Sequence, residues 1–199
     1  MERLDFARRL TRNALLWILP VALVWLVATP VYNRFLAAAG EIVLHVGESP
    51  NTSRLYVRDS HILRIVRTDI GGGQNTLHET RLSDFHFDWI LLGVLFLATP
   101  AVPPARRARA LAWSAAAMLV FHLLLLVFYV ESTYATGLGD WSARHYGALA
   151  RNFWGLGEHL LDLPFKFALP FALWMTFHSD RLRGPEPPAP RRRSVSQSG

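Results

Sequence analysis

The sequence of 199 residues contains no cysteine. Without thiols the chain cannot form a disulfide framework, a thiolate metal site or a cysteine nucleophile. It also lacks an HExxH zinc motif, and its run of three glycines at 71–73 is not followed by the GK[ST] of a phosphate-binding loop. These common classes of metalloprotease and nucleotide-binding site are therefore not indicated, and we predict no cofactor.

Charge is absent from long parts of the chain, which is 51% hydrophobic and has a mean hydropathy of +0.19. About 20 helical residues cross a bilayer core of roughly 30 Å. Four segments are candidates for such spans: residues 13–33, 89–105, 110–130 and 160–179. The first three are uncharged, and the fourth contains Asp162 and Lys166, which can pair on one face of a helix. The sequence therefore predicts a mostly α-helical membrane protein with four transmembrane helices.

Arginine is unevenly distributed between the connecting segments. Twelve basic and four acidic residues fall in three of them: the N-terminus 1–12, the loop 106–109 and the Pro- and Ser-rich tail 180–199, which is predicted to be disordered. The rest of the chain has a net charge of −2. Because basic residues are retained in the cytoplasm, we predict a multi-pass protein of the bacterial inner membrane with both termini cytoplasmic. The overall charge of +6 then reflects orientation in the lipid bilayer, and no nucleic-acid partner is predicted.

A cleavable signal peptide is the alternative for the first segment, because basic residues precede an apolar run and Ala37–Ala39 resemble a cleavage site. The apolar run is longer than the ~7–15 residues of a signal sequence, and Arg34 separates it from the alanines. We favour a membrane-spanning helix, and its apolar spacing continues to a natural stop at Gly47.

Two longer segments are predicted to lie outside the cytoplasm. Residues 48–88 contain RLYVR, HILRIVRT and TLHETRL, which favour a β-hairpin and a third strand in a small extracytoplasmic subdomain. Residues 131–159 contain aromatic and leucine residues interleaved with charges, a pattern typical of an interfacial helix. A sheet of three short strands buries little apolar area, so we expect it to pack on the membrane surface, on the second segment or on a partner protein.

Candidate functional residues cluster near the second span. His78, Asp84, His86 and Asp88 are residue types that ligate metals, but ordinary interfacial polarity is the favoured interpretation and no metal site is predicted. His122 lies in the middle of the third span, where an ionisable side chain is costly. A hydrogen bond to a neighbouring helix is its favoured role, and catalysis by His122 with His86 and Asp88 is the alternative.

The stretches WILPVALVWLVATPVYNRFL and FWGLGEHLLDLPFKFALPFALW, in the first span and leading into the fourth, carry a resemblance in overall layout. The chain resembles the small integral membrane proteins associated with bacterial exosortases. The resemblance implies an accessory role in envelope protein sorting or exopolysaccharide export. It implies no transpeptidase activity, since an exosortase needs a catalytic cysteine, and it assigns no site residues.

Two functional hypotheses follow. The favoured one is a non-enzymatic accessory protein that binds another membrane or envelope protein. The alternative is a membrane enzyme or transporter component that uses His122, His86 and Asp88.

Overall fold

The computed structural model describes residues 2–48, 50–70 and 76–183, so most of the tail predicted to be disordered lies outside the described residues. The elements, in chain order, are α1 (Glu2–Gly47), β1 (Ser53–Arg58), β2 (Ile62–Arg67), β3 (Thr76–Arg81), α2 (Asp88–Ala98), α3 (Pro104–Thr136), α4 (Asp140–His145), α5 (Ala148–Leu160) and α6 (Lys166–Arg183). A 3-10 turn at Leu82–Phe85 precedes α2, and a π-helical turn at Leu161–Phe165 joins α5 to α6.

The first helix has 46 residues and is about 69 Å long. It continues through Pro20 and Pro30. A proline costs about 3 kcal/mol inside a water-exposed helix, but membrane helices accommodate proline because neighbouring groups bond the freed carbonyls. A helix of this length extends well beyond a hydrocarbon core of ~30 Å.

Three helices of the described residues are long and apolar enough to cross a membrane: Leu4–Gly47, Pro104–Thr136 and Ala148–Ser179. The segment predicted as the second span forms only the 11-residue α2, about 16 Å long. The helix ends at Ala98 because Pro100 and Pro103 follow, and residues before proline avoid the helical conformation. A helical span across 89–105 is therefore not formed.

The short helix α2 lies along α1. The side-chain amide of Asn13 donates to the Ala98 carbonyl oxygen at 3.1 Å, which fixes the end of α2 near the start of α1. Between them, a Cβ on Gly93 would lie 2.8 Å from Val21 Cγ1, so the two helices approach closely there.

The interfacial helix and fourth span expected from the sequence form one continuous helical run, from α5 through the π turn into α6. Pro164 lies within the π turn, where the wider hydrogen-bond pattern lets the helix continue past a residue without an N–H group. Lys166 donates to the Asp162 carboxylate across this turn, and its ammonium lies 5.3 Å from the centre of the Phe87 ring.

The predicted three-stranded sheet is present, antiparallel and in the order β1-β2-β3. Its first strand is held on α1, since the Leu55 amide donates to Glu41 at 2.9 Å and the Ser53 amide donates to Glu48 at 3.0 Å. The sheet shares one apolar core with α1 and α3, which includes Leu36, Leu44, Leu63, Ile65, Leu126 and Val130. The chain therefore covers the sheet with its own helices, and the sheet needs no partner to bury its apolar face.

We call the end of the helix bundle that carries the sheet the sheet end. The opposite end, where α1 begins, α2 ends and α3 begins, is called the basic end because it carries Arg8, Arg9, Arg12, Arg106 and Arg107.

Candidate functional site: a buried polar triad beside an apolar cavity

A buried polar triad lies where α1, α2 and α3 meet. His122 Nε2 is 2.9 Å from Asp88 Oδ1, and His122 Nδ1 is 2.8 Å from the Tyr32 hydroxyl. His122 and Asp88 have no exposed surface. With Asp88 ionised, the carboxylate only accepts, so His122 Nε2–H donates to it and Tyr32 O–H donates to Nδ1. The triad is thus an ordered chain of hydroxyl, imidazole and carboxylate.

Asp88 is the first residue of α2. The positive end of the helix dipole favours a carboxylate at this position. Asp88 Oδ2 is buried and has no hydrogen-bond partner, so the dipole and His122 carry its stabilisation. A buried acceptor left without a partner costs about 1–3 kcal/mol, which makes this the most expensive polar group of the triad.

A second chain of hydrogen bonds, the junction chain, connects the sheet to the helices. Trp25 Nε1 donates at 3.2 Å to His86 Nδ1 and to the His86 carbonyl oxygen. Nδ1 of His86 is therefore an acceptor, so its Nε2–H donates to Asn33 Oδ1 at 2.6 Å. Asn33 Nδ2 in turn donates to the Ser60 carbonyl oxygen at 2.7 Å, in the turn between β1 and β2. This chain fixes the tautomer of His86 and ties the sheet to α1.

The triad and the junction chain touch through their rings. The Tyr32 ring meets His86 edge-on with centroids 4.7 Å apart, and the rings of His86 and His122 are 6.2 Å apart. Trp89 lies against both Tyr32 and His122, at 6.0 and 5.7 Å. Such aromatic contacts hold the polar side chains in fixed orientations.

The structure brings together the three residues proposed from the sequence for catalysis. His122 bonds Asp88 directly, and His86 lies beside them without bonding either. The four metal-ligand candidates are not brought together, because His78 on β3 lies against the Tyr129 ring and Asp84 is exposed. The described residues contain no group of three or more His, Asp or Glu side chains placed to hold a metal ion.

Sequence reasoning missed the contribution of α1 to this site. Trp25, Tyr32 and Asn33 lie on one face of α1, at the spacing of two helical turns, and their polar groups point to α2 and α3. The signal was present as a polar and aromatic stripe in an otherwise apolar span.

An apolar cavity of about 360 Å³ borders the site between α1, α2 and α3. Its walls include Val21, Val24, Ala28, Tyr32, Trp89 and Ala115. Trp25 and His86 also reach the cavity, but their polar atoms, like the Tyr32 hydroxyl, bond the neighbouring side chains. The cavity therefore presents ring faces and aliphatic carbon.

The triad has the order of groups that activates a hydroxyl in nucleophilic enzymes, in which a base removes the proton and a third group orients the base. In this arrangement His122 takes the proton of Tyr32 and Asp88 stabilises the resulting imidazolium. The same geometry equally serves as a structural link between three helices, because each polar group is bonded across a helix interface.

A separate polar cluster lies at the sheet end. The Arg67 guanidinium lies 4.7 Å from the ring centre of Tyr134 and 4.8 Å from that of Trp141. It also donates to Asp69 at 3.0 Å, and this hydrogen bond lowers the pKa of the Asp69 carboxyl. Burial raises the pKa of Tyr146, whose hydroxyl donates to Glu131 at 2.9 Å. The cluster joins β2 to α3 and to the segment that follows α4.

Comparisons of the chain with family models, with curated proteins and with solved structures give no match.

Proposed function

We propose that this protein is a non-enzymatic accessory protein of the bacterial inner membrane, with four membrane crossings, the sheet end outside the cytoplasm and both termini inside. The arginine distribution supports this orientation, since the basic end carries the excess of positive charge. Three crossings are made by the long helices α1, α3 and the α5–α6 run.

The fourth crossing is made by α2 with its flanking segments. Its two ends bond α1 at Asn33, through His86, and at Asn13, through Ala98. These two α1 positions are 20 residues apart, about 30 Å along a helix, which matches the thickness of the hydrocarbon core. Side chains and the non-helical residues at either end supply the length that α2 lacks.

One observation carries the proposed binding role: two of the helices that project beyond this 30 Å zone at the sheet end, α1 and α5, expose apolar side chains. The last 14 residues of α1, about 21 Å, carry the exposed Ile42 and Val46. The α5 helix carries Leu149, Phe153 and Leu156, all more than half exposed. Apolar side chains grouped in water are unfavourable by about 25 cal/mol per Å² and mark interaction sites. A partner protein covers these two helix faces.

The resemblance in layout to exosortase-associated membrane proteins supports a role in envelope protein sorting or exopolysaccharide export. On this proposal the partner is another membrane or envelope protein of a sorting or exopolysaccharide-export system. The protein holds or positions that partner at the outer surface of the inner membrane.

Site-specific photo-crosslinking in cells tests the binding role. A photoreactive amino acid is placed at Val46 or Leu149, and in a separate variant at Val27, which is similarly exposed but lies within the 30 Å zone. Their exposed fractions are 86%, 85% and 80%, so differences in accessibility do not explain differences in labelling. We expect Val46 and Leu149 to give adducts with one and the same protein, and Val27 to give no such adduct.

Substitution of Ile42 and Val46 by aspartate should abolish the adduct at Leu149 without lowering the amount of the protein. A chain that gives no protein adduct at Val46 or Leu149, or different random adducts at each, contradicts the binding proposal. An adduct with an exosortase or an export protein supports the proposed process, and an adduct with an unrelated protein contradicts that part alone.

A second candidate function, a membrane enzyme or transporter component, is favoured by the direct contact of His122 with Asp88 and Tyr32. The two functions differ in what the triad variants do. Tyr32→Phe leaves the buried His122 Nδ1 without a donor, at a cost of about 1–3 kcal/mol, so abundance is measured alongside the phenotype. In an enzyme, this variant abolishes the cellular phenotype even where abundance is retained. In an accessory protein, Tyr32→Phe leaves the phenotype intact, and triad variants affect the phenotype only as far as they lower abundance.

A further inference from the structure

We propose that the apolar cavity between α1, α2 and α3 binds the hydrocarbon chain of a membrane lipid from the leaflet at the sheet end. This inference concerns a ligand site inside the membrane, and it is independent of the partner-binding faces of α1 and α5.

The position of the cavity determines the medium that it meets. Its α1 wall runs from Val21 to Tyr32, about 16 Å along the helix. Both residues lie between Asn13 and Asn33, the positions that bond the two ends of α2. Val21 is near the middle of that 30 Å interval and Tyr32 is near its sheet end. The cavity therefore covers the half of the hydrocarbon core on the side of the sheet.

The walls of the cavity select an apolar ligand. Val21, Val24, Ala28 and Ala115 contribute aliphatic carbon, and Tyr32 contributes a ring face while its hydroxyl bonds His122. The hydroxyl of Thr29, which also lines the cavity, donates to the Trp25 carbonyl oxygen at 2.7 Å, so a headgroup or a polar small molecule meets little free polar surface here. A hydrocarbon chain loses no hydrogen bond on entry and gains dispersion contacts with the wall.

The volume of the cavity argues that it is filled. Apolar cavities of about 150 Å³ stay free of water and bind small apolar molecules, and this one has about 360 Å³. At its rim Val24 is 70% exposed, so the cavity is continuous with the surface that faces lipid. An acyl chain of a lipid at that surface can enter the cavity without passing through water, so a hydrocarbon chain is the occupant that this position favours.

Two adjacent alanines of α3 provide a matched test. Ala115 lines the cavity, whereas Ala116 is exposed on the neighbouring face of the helix. Phenylalanine at 115 fills the cavity, and phenylalanine at 116 adds the same ring to the lipid-facing surface. The full-length protein is reconstituted in vesicles of phosphatidylcholine that carries a photoreactive diazirine in the middle of one acyl chain, and labelled residues are mapped by mass spectrometry.

In the wild-type protein we expect labelling at the half-buried wall residues Val21 and Trp89, and at the exposed Val120 as an internal reference. Ala115→Phe should lower labelling at Val21 and Trp89 about tenfold relative to Val120, which corresponds to about 1.4 kcal/mol of lost affinity. Ala116→Phe should leave the ratio unchanged. If Ala115→Phe does not give a monodisperse protein, Ala28→Leu narrows the cavity from α1 and is read in the same way at Val21 and Trp89.

Equal labelling ratios in the wild type, Ala115→Phe and Ala116→Phe would show that lipid contacts only the outer surface and would overturn the proposal. A photoreactive amino acid at Ala115 that captures protein in cells, in place of lipid, would overturn it as well. Either failure leaves the adducts expected at Val46 and Leu149 unaffected, so the lipid site and the partner-binding role fail separately.

Discussion

The zone between Asn13 and Asn33 and the sheet end of the same bundle distribute polar and apolar side chains in opposite ways. In the first region, His86, Asp88 and His122 are fully or almost fully buried, and apolar side chains such as Val27 face outward. At the sheet end, apolar core residues are buried between sheet and helices, and ion pairs such as Arg64 with Glu79 lie at the surface.

The medium around each region determines whether its polar side chains form hydrogen bonds inside the protein or at its surface. A polar group that faces lipid has no water to bond, so the helices turn polar side chains inward and pair them with each other. The sheet end is built as in a water-soluble protein, with the exception of the apolar faces of α1 and α5. On the proposed function, a partner covers those two faces, whereas lipid contacts the apolar side chains of the first region.

The largest effect is expected from His122→Leu, which keeps the size of the side chain and removes both hydrogen bonds of the triad. Asp88 and Tyr32 are left buried without a partner, and we expect the free energy of unfolding in detergent to fall by about 3 kcal/mol. His159→Leu is the control, since His159 bonds Glu158 at the surface of α5 with 76% of its side chain exposed. Similar small losses for both variants would contradict a buried polar region.

Asn33→Ala should break the connection between the two regions. The variant removes the acceptor of His86 and the donor to the Ser60 carbonyl, so we expect a loss of about 2 kcal/mol. Hydrogen exchange should also accelerate at the His61 amide, which closes the β1–β2 turn on the Arg58 carbonyl. Asn152→Ala, at an exposed position of α5, serves as the control. Unchanged exchange at His61 would show that the junction chain does not hold the sheet.

Gly157→Ala and Gly155→Ala test how α5 packs at the sheet end, because both glycines lie in this helix. A Cβ at Gly157 would collide with the Phe128 ring of α3, whereas a Cβ at Gly155 meets no atom within 4 Å. We expect Gly157→Ala to destabilise the protein by about 1–2 kcal/mol and Gly155→Ala to stabilise it by up to about 1 kcal/mol through helix propensity. Thermal unfolding of the two purified variants measures the difference. Equal effects would mean that α5 does not pack on α3 at this point.

The smallest effect is expected from Asp69→Asn. The pKa of Asp69 is lower in the folded protein than in the unfolded chain, because Arg67 donates to it. The stabilisation by Asp69 is therefore present above its ordinary pKa of about 3.9 and is lost as the pH falls through the lower folded value. The Asp69 carboxylate is exposed to solvent, which screens its interaction with Arg67, so the loss is below about 1 kcal/mol. Unfolding followed between pH 6 and pH 3 should show a weaker pH dependence in Asp69→Asn than in the wild type, and an equal pH dependence of the two proteins would contradict the prediction.

Several parts of the fold follow from local sequence. The uncharged runs of α1 and α3 are recognised from consecutive residues, and runs of this length require a membrane or a very large core. The arginine clusters are likewise found by counting charges along the chain. The three strands are signalled by short β-branched stretches between turns. The expected helix over 89–105 does not form at that length, because two prolines inside the apolar run end α2 early. Hydropathy alone does not register where a helix must stop.

Some residues of the candidate site could be predicted from the sequence, but the hydrogen bonds between them could not. His122 was singled out because an ionisable group is costly near lipid, and Asp88 because its residue type ligates metals, but 34 residues separate them, and no spacing rule connects residues on different helices. Asn33 and Tyr32 were not predicted as site residues, since they stand at the end of the first apolar run with no charged group beside Tyr32. Their roles depend on which faces of α1 and α2 meet.

The sequence by itself determined that this chain has helices long and apolar enough to cross a membrane, how its charges are distributed and where its strands lie, because each of these properties depends on residues close together in the chain. Only the tertiary structure decided that Tyr32, His122 and Asp88 form one hydrogen-bonded chain, that α1 and α3 cover the sheet, and that an apolar cavity opens beside the triad. These features depend on distances between helices, which are set by the packing of residues far apart in the chain, such as Gly93 against Val21.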